Sequence, residues 1–182
     1  MKDSVRTEEE LKIFEELLTY KENVFRICLG FSKNPHDAED LTQDVYLKAY
    51  QNIGTLRNPF QSKEWLLRIA KNTCLDHKKK RFFRGGFIRF EAEEEMAEAR
   101  NRNNPETSAS FTEQLQNIKK AVSRLPKKQK EVFVLREYGN LSYQEIAHTL
   151  EIKEGTVMSR LSRARQAVLE WMNEGKNEKK SK

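Results

Sequence analysis

Hydrogen-bonding side chains are concentrated near the end of the chain, in the segment "EGTVMSRLSRARQ". On a helix with about 100° between residues, five of them gather on one side: Thr156, Ser159, Ser162, Arg163 and Gln166. Hydroxyl, amide and guanidinium groups match the donors and acceptors at base-pair edges in the major groove of DNA. The segment therefore predicts a face that contacts bases.

The rest of the segment fits a helix-turn-helix. An apolar stripe lies opposite the polar side: Val157, Leu161, Ala164 and Val168. A shorter helix is predicted before it, with Ser142 as N-cap, Glu145 as its capping-box partner and small Ala147 at the crossing. An ordinary helical hairpin with a solvated face is the alternative. The tight corner and the basic second helix favour DNA binding.

Basic and aromatic side chains around this face are candidates for phosphate contacts: Tyr143, Lys153, Arg160 and Arg165. The backbone N–H groups at the start of the second helix, near Thr156, would add to them. Isolated basic side chains are usually just solvated, so this expectation depends on the neighbouring base-contacting face.

A second candidate nucleic-acid surface lies in the segment "SKEWLLRIAKNTCLDHKKKRFFR". Its helical pattern predicts four buried residues: Leu66, Ile69, Ala70 and Thr73. Polar residues follow another side: Arg68, Asn72, Asp76 and Lys79. The loop before this helix, "NIGTLRNPFQ", contains Gly54 and Pro59 and could hold an unstacked base. Trp65 is most simply a core aromatic, whereas Phe82, Phe83, Phe87 and Phe90 could pack, contact a partner or stack on bases.

An acidic helix face is predicted over residues 36–52, after Asn34 as N-cap and Pro35 in the first turn. Leu41, Val45 and Ala49 form its buried stripe. The neighbouring side carries Asp37, Asp40 and Asp44, with Gln43 and Lys48 at its edges. From the residues alone, a solvated face and a protein-docking surface both remain open.

Composition narrows the function class. The 182 residues carry a net charge of +6, which suits a polyanionic partner. No Gly-rich phosphate loop or H-E-x-x-H motif occurs, and His36, His77 and His148 lack ligand spacing, so we expect a binding protein without metal or cofactor. The sequence has no long apolar run, which predicts a cytoplasmic protein without membrane insertion. Cys28 and Cys74 are expected to be buried, reduced thiols rather than a disulfide.

The helical periodicity predicts an all-α fold with two small domains. Helices are expected near 7–32, 36–52 and 61–81 in the first half, and near 112–124, 127–138, 142–149 and 154–172 in the second. Residues 1–84 would form the first domain, 85–111 a flexible linker, 112–173 the second domain and 174–182 a disordered tail.

Three segments resemble a group 4 (extracytoplasmic function, ECF) sigma factor of bacterial RNA polymerase. "DAEDLTQDVYLKAY" is similar to conserved region 2.2 of that family, and "EWLLRIAKNTCLDHKKKR" is similar to regions 2.3 and 2.4. "LPKKQKEVFVLREYGNLSYQEIAHTLEIKEGTVMSRLSRAR" is similar to region 4. The resemblance covers roughly residues 10–82 and 112–170 in the family's order, which is more specific than a helix-turn-helix alone.

The resemblance implies a role for each surface. Region 2.2 docks on the β′ clamp helices of core RNA polymerase, which assigns that contact to Asp40, Gln43, Asp44 and Lys48. Regions 2.3 and 2.4 of the family melt the −10 promoter element and bind it as a single strand. The resemblance assigns these −10 contacts to Arg57, Asn58, Phe60, Arg68, Lys71 and Asn72. Region 4 binds the β flap and the duplex −35 element, the latter through Thr156, Met158, Ser159, Arg160, Ser162, Arg163 and Gln166. An anti-sigma factor is the expected regulator.

Two residues depart from the family pattern. Glu151 occupies the helix-turn-helix corner where the family commonly has Gly, and Met158 stands where some relatives carry a basic residue. Two other classes remain as alternatives: a stand-alone helix-turn-helix regulator, and an interaction protein that sequesters another factor without binding DNA. Resemblance to region 2 argues against the regulator, because a regulator needs no strand-melting surface.

Overall fold

The computed structural model describes residues 7–80 and 109–180, with side chains described over 7–80 and 116–173. Within these ranges the chain forms only helices and turns, so the predicted all-α fold is confirmed. No helix among the described residues is long and apolar enough to cross a membrane. Most of the predicted linker, 85–108, lies outside the described residues, as do Phe82, Phe83, Phe87 and Phe90.

Four α-helices and two short 3₁₀ turns form the first domain. The helices are α1 (Glu8–Leu18), α2 (Lys21–Ser32), α3 (Pro35–Asn52) and α4 (62–80), and the 3₁₀ turns, Ile53–Thr55 and Pro59–Gln61, lie between α3 and α4. The prediction of a single helix over 7–32 is wrong, because helical structure is interrupted between Leu18 and Lys21. The Thr19 hydroxyl donates to the Glu16 carbonyl at 2.7 Å, a local bond that satisfies the end of α1 and competes with continuation of the helix.

The core of the first domain lies where α2, α3 and α4 meet. The predicted stripe Leu41, Val45 and Ala49 is buried there, and Asn34 caps α3 as expected. Cys28 and Cys74 are both free and buried, with the Cys74 thiol donating to Cys28 Sγ at 3.6 Å. That hydrogen bond and burial raise the pKa of Cys74. A buried thiol with a raised pKa is a packing residue and a poor nucleophile.

Four helices form the second domain: α5 (Ala109–Arg124), α6 (Lys127–Glu137), α7 (Tyr143–Leu150) and α8 (Glu154–Lys180). All four predicted apolar positions of α8 are buried in the core: Val157, Leu161, Ala164 and Val168. α5 starts three residues before the predicted boundary, and α8 continues to Lys180, so residues 174–180 are helical and not a disordered tail. Lys and Glu, which dominate this extension, are good helix formers.

Candidate nucleic-acid interface

α7 and α8 form the predicted helix-turn-helix. Ser142 and Glu145 make the expected capping box, in which Glu145 N–H donates to Ser142 Oγ at 3.2 Å and Ser142 N–H donates to Glu145 Oε2 at 2.7 Å. After α7, Glu151 takes a left-handed conformation with φ of 54°. Ile152 N–H then donates to the Ala147 carbonyl at 3.0 Å, which closes the turn. The corner therefore has the left-handed backbone conformation that glycine adopts more easily. Glu151 adopts the same conformation at a conformational cost that glycine would not have.

The predicted base-contacting face of α8 points away from the core. Five of the seven expected −35 residues are exposed: Met158, Ser159, Ser162, Arg163 and Gln166. The other two, Thr156 and Arg160, are half-buried. Ser159 Oγ donates to the Thr156 carbonyl at 3.1 Å, and Gln166 Nε2 donates to Glu170 at 2.9 Å. Arg163 makes no bond to any described residue, which leaves its guanidinium available to a ligand.

Two of the expected phosphate anchors have partners within the second domain. Arg165 donates to the Glu137 carboxylate through Nη2 at 2.7 Å and Nε at 3.0 Å. This hydrogen bond raises the pKa of Arg165, and the Glu137 carboxylate offsets the positive charge of the guanidinium. The Tyr143 ring lies 5.3 Å from the Arg136 guanidinium, a cation–π distance. The sequence did not indicate either pairing, and both weaken the case for Arg165 and Tyr143 as phosphate contacts.

The loop between α3 and α4 presents the first group of expected −10 residues. Arg57 and Asn58 are exposed, and the Phe60 ring is 97% exposed. Asn58 Oδ1 accepts a hydrogen bond from Phe60 N–H at 3.1 Å and so fixes the second 3₁₀ turn. A phenylalanine that is almost completely exposed on this turn is available for stacking against a base.

The second group lies on α4 and differs in its surroundings. Asn72 is exposed, Lys71 is half-buried, and Arg68 forms an ion pair with Glu151 of the helix-turn-helix, with 2.8 Å between Nη1 and Oε1. Arg57, Asn58 and Arg68 line one cleft of about 630 Å³ together with residues of α7 and its corner. Phe60, Lys71 and Asn72 are not among the residues lining that cleft. The predicted −10 residues are therefore split between a cleft and open surface.

The acidic face of α3 is exposed, with one apolar side chain beside it. Asp40, Gln43 and Asp44 face solvent. Leu47, one turn further along the same side, is an apolar residue that is 56% exposed. Lys48 Nζ instead donates to Thr73 Oγ1 on α4 at 3.0 Å, so this side chain is held within the domain.

An all-α chain with a helix-turn-helix and a second exposed polar surface has an architecture that is typical of DNA-binding proteins. Two family models match it: sigma-70 region 2 over residues 17–82, and sigma-70 region 4 over residues 115–168. The Bacillus subtilis protein "ECF RNA polymerase sigma factor SigW" is 30% identical over 157 residues, 82% of each chain. "ECF RNA polymerase sigma factor SigE" of Mycolicibacterium smegmatis is 33% identical over 84% of this chain, which spans 58% of that relative's length.

A solved structure has the same fold. The complex of the sigma factor RpoE with the anti-sigma factor NepR from Bartonella quintana matches with a TM-score of 0.62 and 24% identity, over 87% of this chain and 95% of that one. The chain belongs to the ECF sigma factors of the sigma-70 family. Its function is promoter-specific initiation of transcription, and proteins of this family are not enzymes. Hereafter residues 17–82 are region 2 and residues 115–168 are region 4.

Proposed function

We propose that this chain is a group 4 sigma factor that holds core RNA polymerase through α3, duplex −35 DNA through α8, and the separated −10 strand through α4 and its preceding loop. The group 4 assignment is supported by the two family matches, which leave only residues 83–114 between them. We further propose residues 85–111 as the linker. Action on RNA polymerase implies a cytoplasmic protein.

The observation that carries the −35 proposal is the division of α8 into two sides. Val157 and Leu161 are buried, while Ser162 and Arg163 on the other side are exposed. A helix fixed by its apolar side presents base-contacting groups at set positions, as a major-groove contact requires. Arg163 is the proposed specificity residue, because a guanidinium can bond to O6 and N7 of one guanine.

The −10 proposal rests on the loop and α4. Phe60 offers an exposed ring, and Arg57 and Asn58 supply polar groups beside it. Stacking on an aromatic ring and hydrogen bonding to an unstacked base both stabilise single strands over duplex. Strand separation would then be driven by binding energy, and the polymerase would carry out the chemistry.

The docking proposal places the β′ clamp helices against Asp40, Gln43 and Asp44, with exposed Leu47 as an added apolar contact. A patch of this composition combines charge complementarity with an apolar anchor. Lys48 is a weaker candidate, because its ammonium group is bonded to Thr73. Region 4 would bind the β flap. We also propose an anti-sigma partner, by analogy with the solved RpoE complex.

Run-off transcription tests this function. Promoters are first selected from a randomised DNA library with the chain and core polymerase together, and transcripts are then measured with either component omitted. We expect defined start sites only when both are present. Duplex binding by the chain without any effect on core polymerase would support a stand-alone regulator, and binding to neither would support the sequestering protein.

A further inference from the structure

Two buried thiols face each other inside region 2. The Cys74 thiol of α4 donates to Cys28 Sγ of α2 at 3.6 Å. Both cysteines are free, and they are the only two in the chain. Cys28 is 0% exposed and Cys74 is 3% exposed, so neither side chain lies on the surfaces proposed for polymerase or DNA. The proposed function therefore leaves this pair of thiols without a role.

The distance between the two sulfur atoms suits a disulfide bond. Bonded sulfur atoms lie about 2.05 Å apart, so two atoms that are now 3.6 Å apart must approach by about 1.5 Å. Each sulfur moves when its side chain rotates about the Cα–Cβ bond, and the shift can be divided between the two residues. Because the thiols already share a hydrogen bond, no other side chain has to leave the space between them.

The two thiols differ in how readily they ionise. The hydrogen bond from the Cys74 thiol lowers the pKa of Cys28, although burial acts in the opposite direction. The same bond, together with burial, raises the pKa of Cys74. The thiolate is the reactive form of cysteine, so Cys28 is the nucleophile of the pair. Cys74 alone is a poor nucleophile, and its reaction depends on prior reaction of Cys28.

A positive charge is fixed close to the pair. Lys48 Nζ of α3 donates to Thr73 Oγ1 at 3.0 Å, and Thr73 directly precedes Cys74 on α4. The Lys48 charge acts to lower the pKa of Cys74, although the hydrogen bond to Cys28 and burial outweigh it. A positive group beside a cysteine stabilises negative charge on sulfur and so favours its reaction. The thiol pair therefore differs from cysteines that are surrounded only by apolar side chains.

We propose that Cys28 and Cys74 form an oxidisable dithiol, a covalent modification site at which hydrogen peroxide converts the contact between α2 and α4 into a reversible disulfide. The Cys28 thiolate attacks one peroxide oxygen, which gives a sulfenic acid on Cys28 and releases hydroxide. The hydroxide and the proton lost from Cys28 make one water. The Cys74 sulfur then displaces the hydroxyl group of the sulfenic acid: the S–S bond forms, the S–O bond breaks, and the Cys74 proton leaves with that oxygen as a second water. The two thiols lose two electrons, which reduce the peroxide.

Burial controls the rate of this reaction, and the bridge changes the stability of region 2. Hydrogen peroxide is close to water in size and reaches buried groups when the protein opens locally. The bridge would join residues that are 46 positions apart in the sequence. A covalent link of this kind stabilises a protein mainly by restricting its unfolded chain. Oxidation should therefore tie α2 to α4 and protect region 2 against unfolding.

Mass spectrometry of the full-length chain measures bridge formation. The reduced protein is treated with hydrogen peroxide, unfolded, and blocked with N-ethylmaleimide, which labels any thiol that remains free. We expect an unlabelled chain that has lost two hydrogen atoms, a peptide link between Cys28 and Cys74 within one chain, and reversal by dithiothreitol. A bridge that forms only when urea is present during oxidation, links only between chains, or oxidation to sulfonic acid without a bridge overturns the proposal.

Single substitutions separate the roles of the two thiols. In Cys74→Ser the sulfenic acid on Cys28 cannot form the bridge, so dimedone, which reacts with sulfenic acids, should label it. Serine keeps a hydroxyl that can donate to Cys28. In Cys28→Ser the remaining thiol should be labelled at least about fivefold less. Circular dichroism checks that each variant is folded, and equal labelling of the two folded variants refutes Cys28 as the nucleophile.

Urea denaturation tests whether the bridge fits the native packing. The oxidised chain should unfold at a urea concentration about 1 M or more above that of the reduced chain, and dithiothreitol should abolish the difference. The matched control is Cys28→Ser after the same peroxide treatment, which also accounts for methionine oxidation; its midpoint should not rise. A lower midpoint for the bridged chain overturns the proposal, because the bridge would then disrupt the packing of α2 and α4. These measurements involve neither polymerase nor DNA, so their failure leaves the proposed function unaffected.

Discussion

Replacement of Arg163 by Ala isolates a single base contact. The side chain is exposed on α8 and has no partner among the described residues, so nothing in the protein is broken when it is removed. A bidentate contact from arginine to guanine contributes about 1–3 kcal/mol of discrimination, or about 5- to 150-fold between the right and wrong base. Arg163→Ala should lose that factor at one base pair of the −35 element, with no change in melting temperature.

Arg165→Ala is the matched control, because Arg165 lies on the same helix but is bonded to Glu137 at 2.7 Å. Its loss should weaken all duplexes alike, if it affects them at all. The assay is fluorescence anisotropy with a selected −35 duplex and a panel in which each base pair is changed in turn. If Arg163→Ala lowers the affinity for every duplex by the same factor, the residue contacts phosphate, and the assignment of specificity to it is refuted.

Three further predictions concern docking, packing and pH. Asp44→Arg should weaken binding to core polymerase, whereas Glu15→Arg, at an exposed position of α1, should not; equal affinities by surface plasmon resonance would refute the docking face. Leu161→Ala should lower the free energy of unfolding by about 2–5 kcal/mol, since Leu161 is buried in the region 4 core, and urea denaturation measures it. Burial alone would raise the pKa of Glu145, but hydrogen bonds from Lys63 and Ser142 outweigh it and lower the pKa. The ionised Glu145 carboxylate therefore contributes its full share of the free energy of unfolding above the ordinary Glu pKa of about 4.3. That contribution is lost as the pH falls through the lowered pKa of Glu145 in the folded protein. Unfolding of Glu145→Gln should depend less on pH in that range, and parallel profiles would contradict the assignment.

Local patterns predicted the parts of the fold that depend on neighbours in sequence. The buried stripes of α3 and α8 follow from apolar residues spaced three or four apart, and the Ser142 and Asn34 caps follow from side chains next to the helix starts. The family resemblance then assigned roles to the exposed sides of the same helices. These features needed no information about distant contacts.

Contacts between distant segments account for what the sequence did not indicate. Burial of Leu67 and the close packing at Gly30 both come from region 4, more than fifty residues away along the chain. The pairing of Arg68 with Glu151 is equally remote. The break after α1 coincides with a local hydrogen bond from the Thr19 hydroxyl to the Glu16 carbonyl. Hydrophobic periodicity does not reveal this break, because apolar residues continue on both sides of it.

Promoter opening is the central step of the proposed function, and permanganate reactivity of thymines in the −10 region measures it directly. A selected promoter is incubated with the chain, with core polymerase, or with both, and modified thymines are mapped by primer extension. Reactive thymines should appear in the −10 region only when both proteins are present, and should be reduced by Asp44→Arg. A promoter that stays unreactive with both proteins, although the chain binds its −35 duplex, would contradict the strand-melting role of region 2.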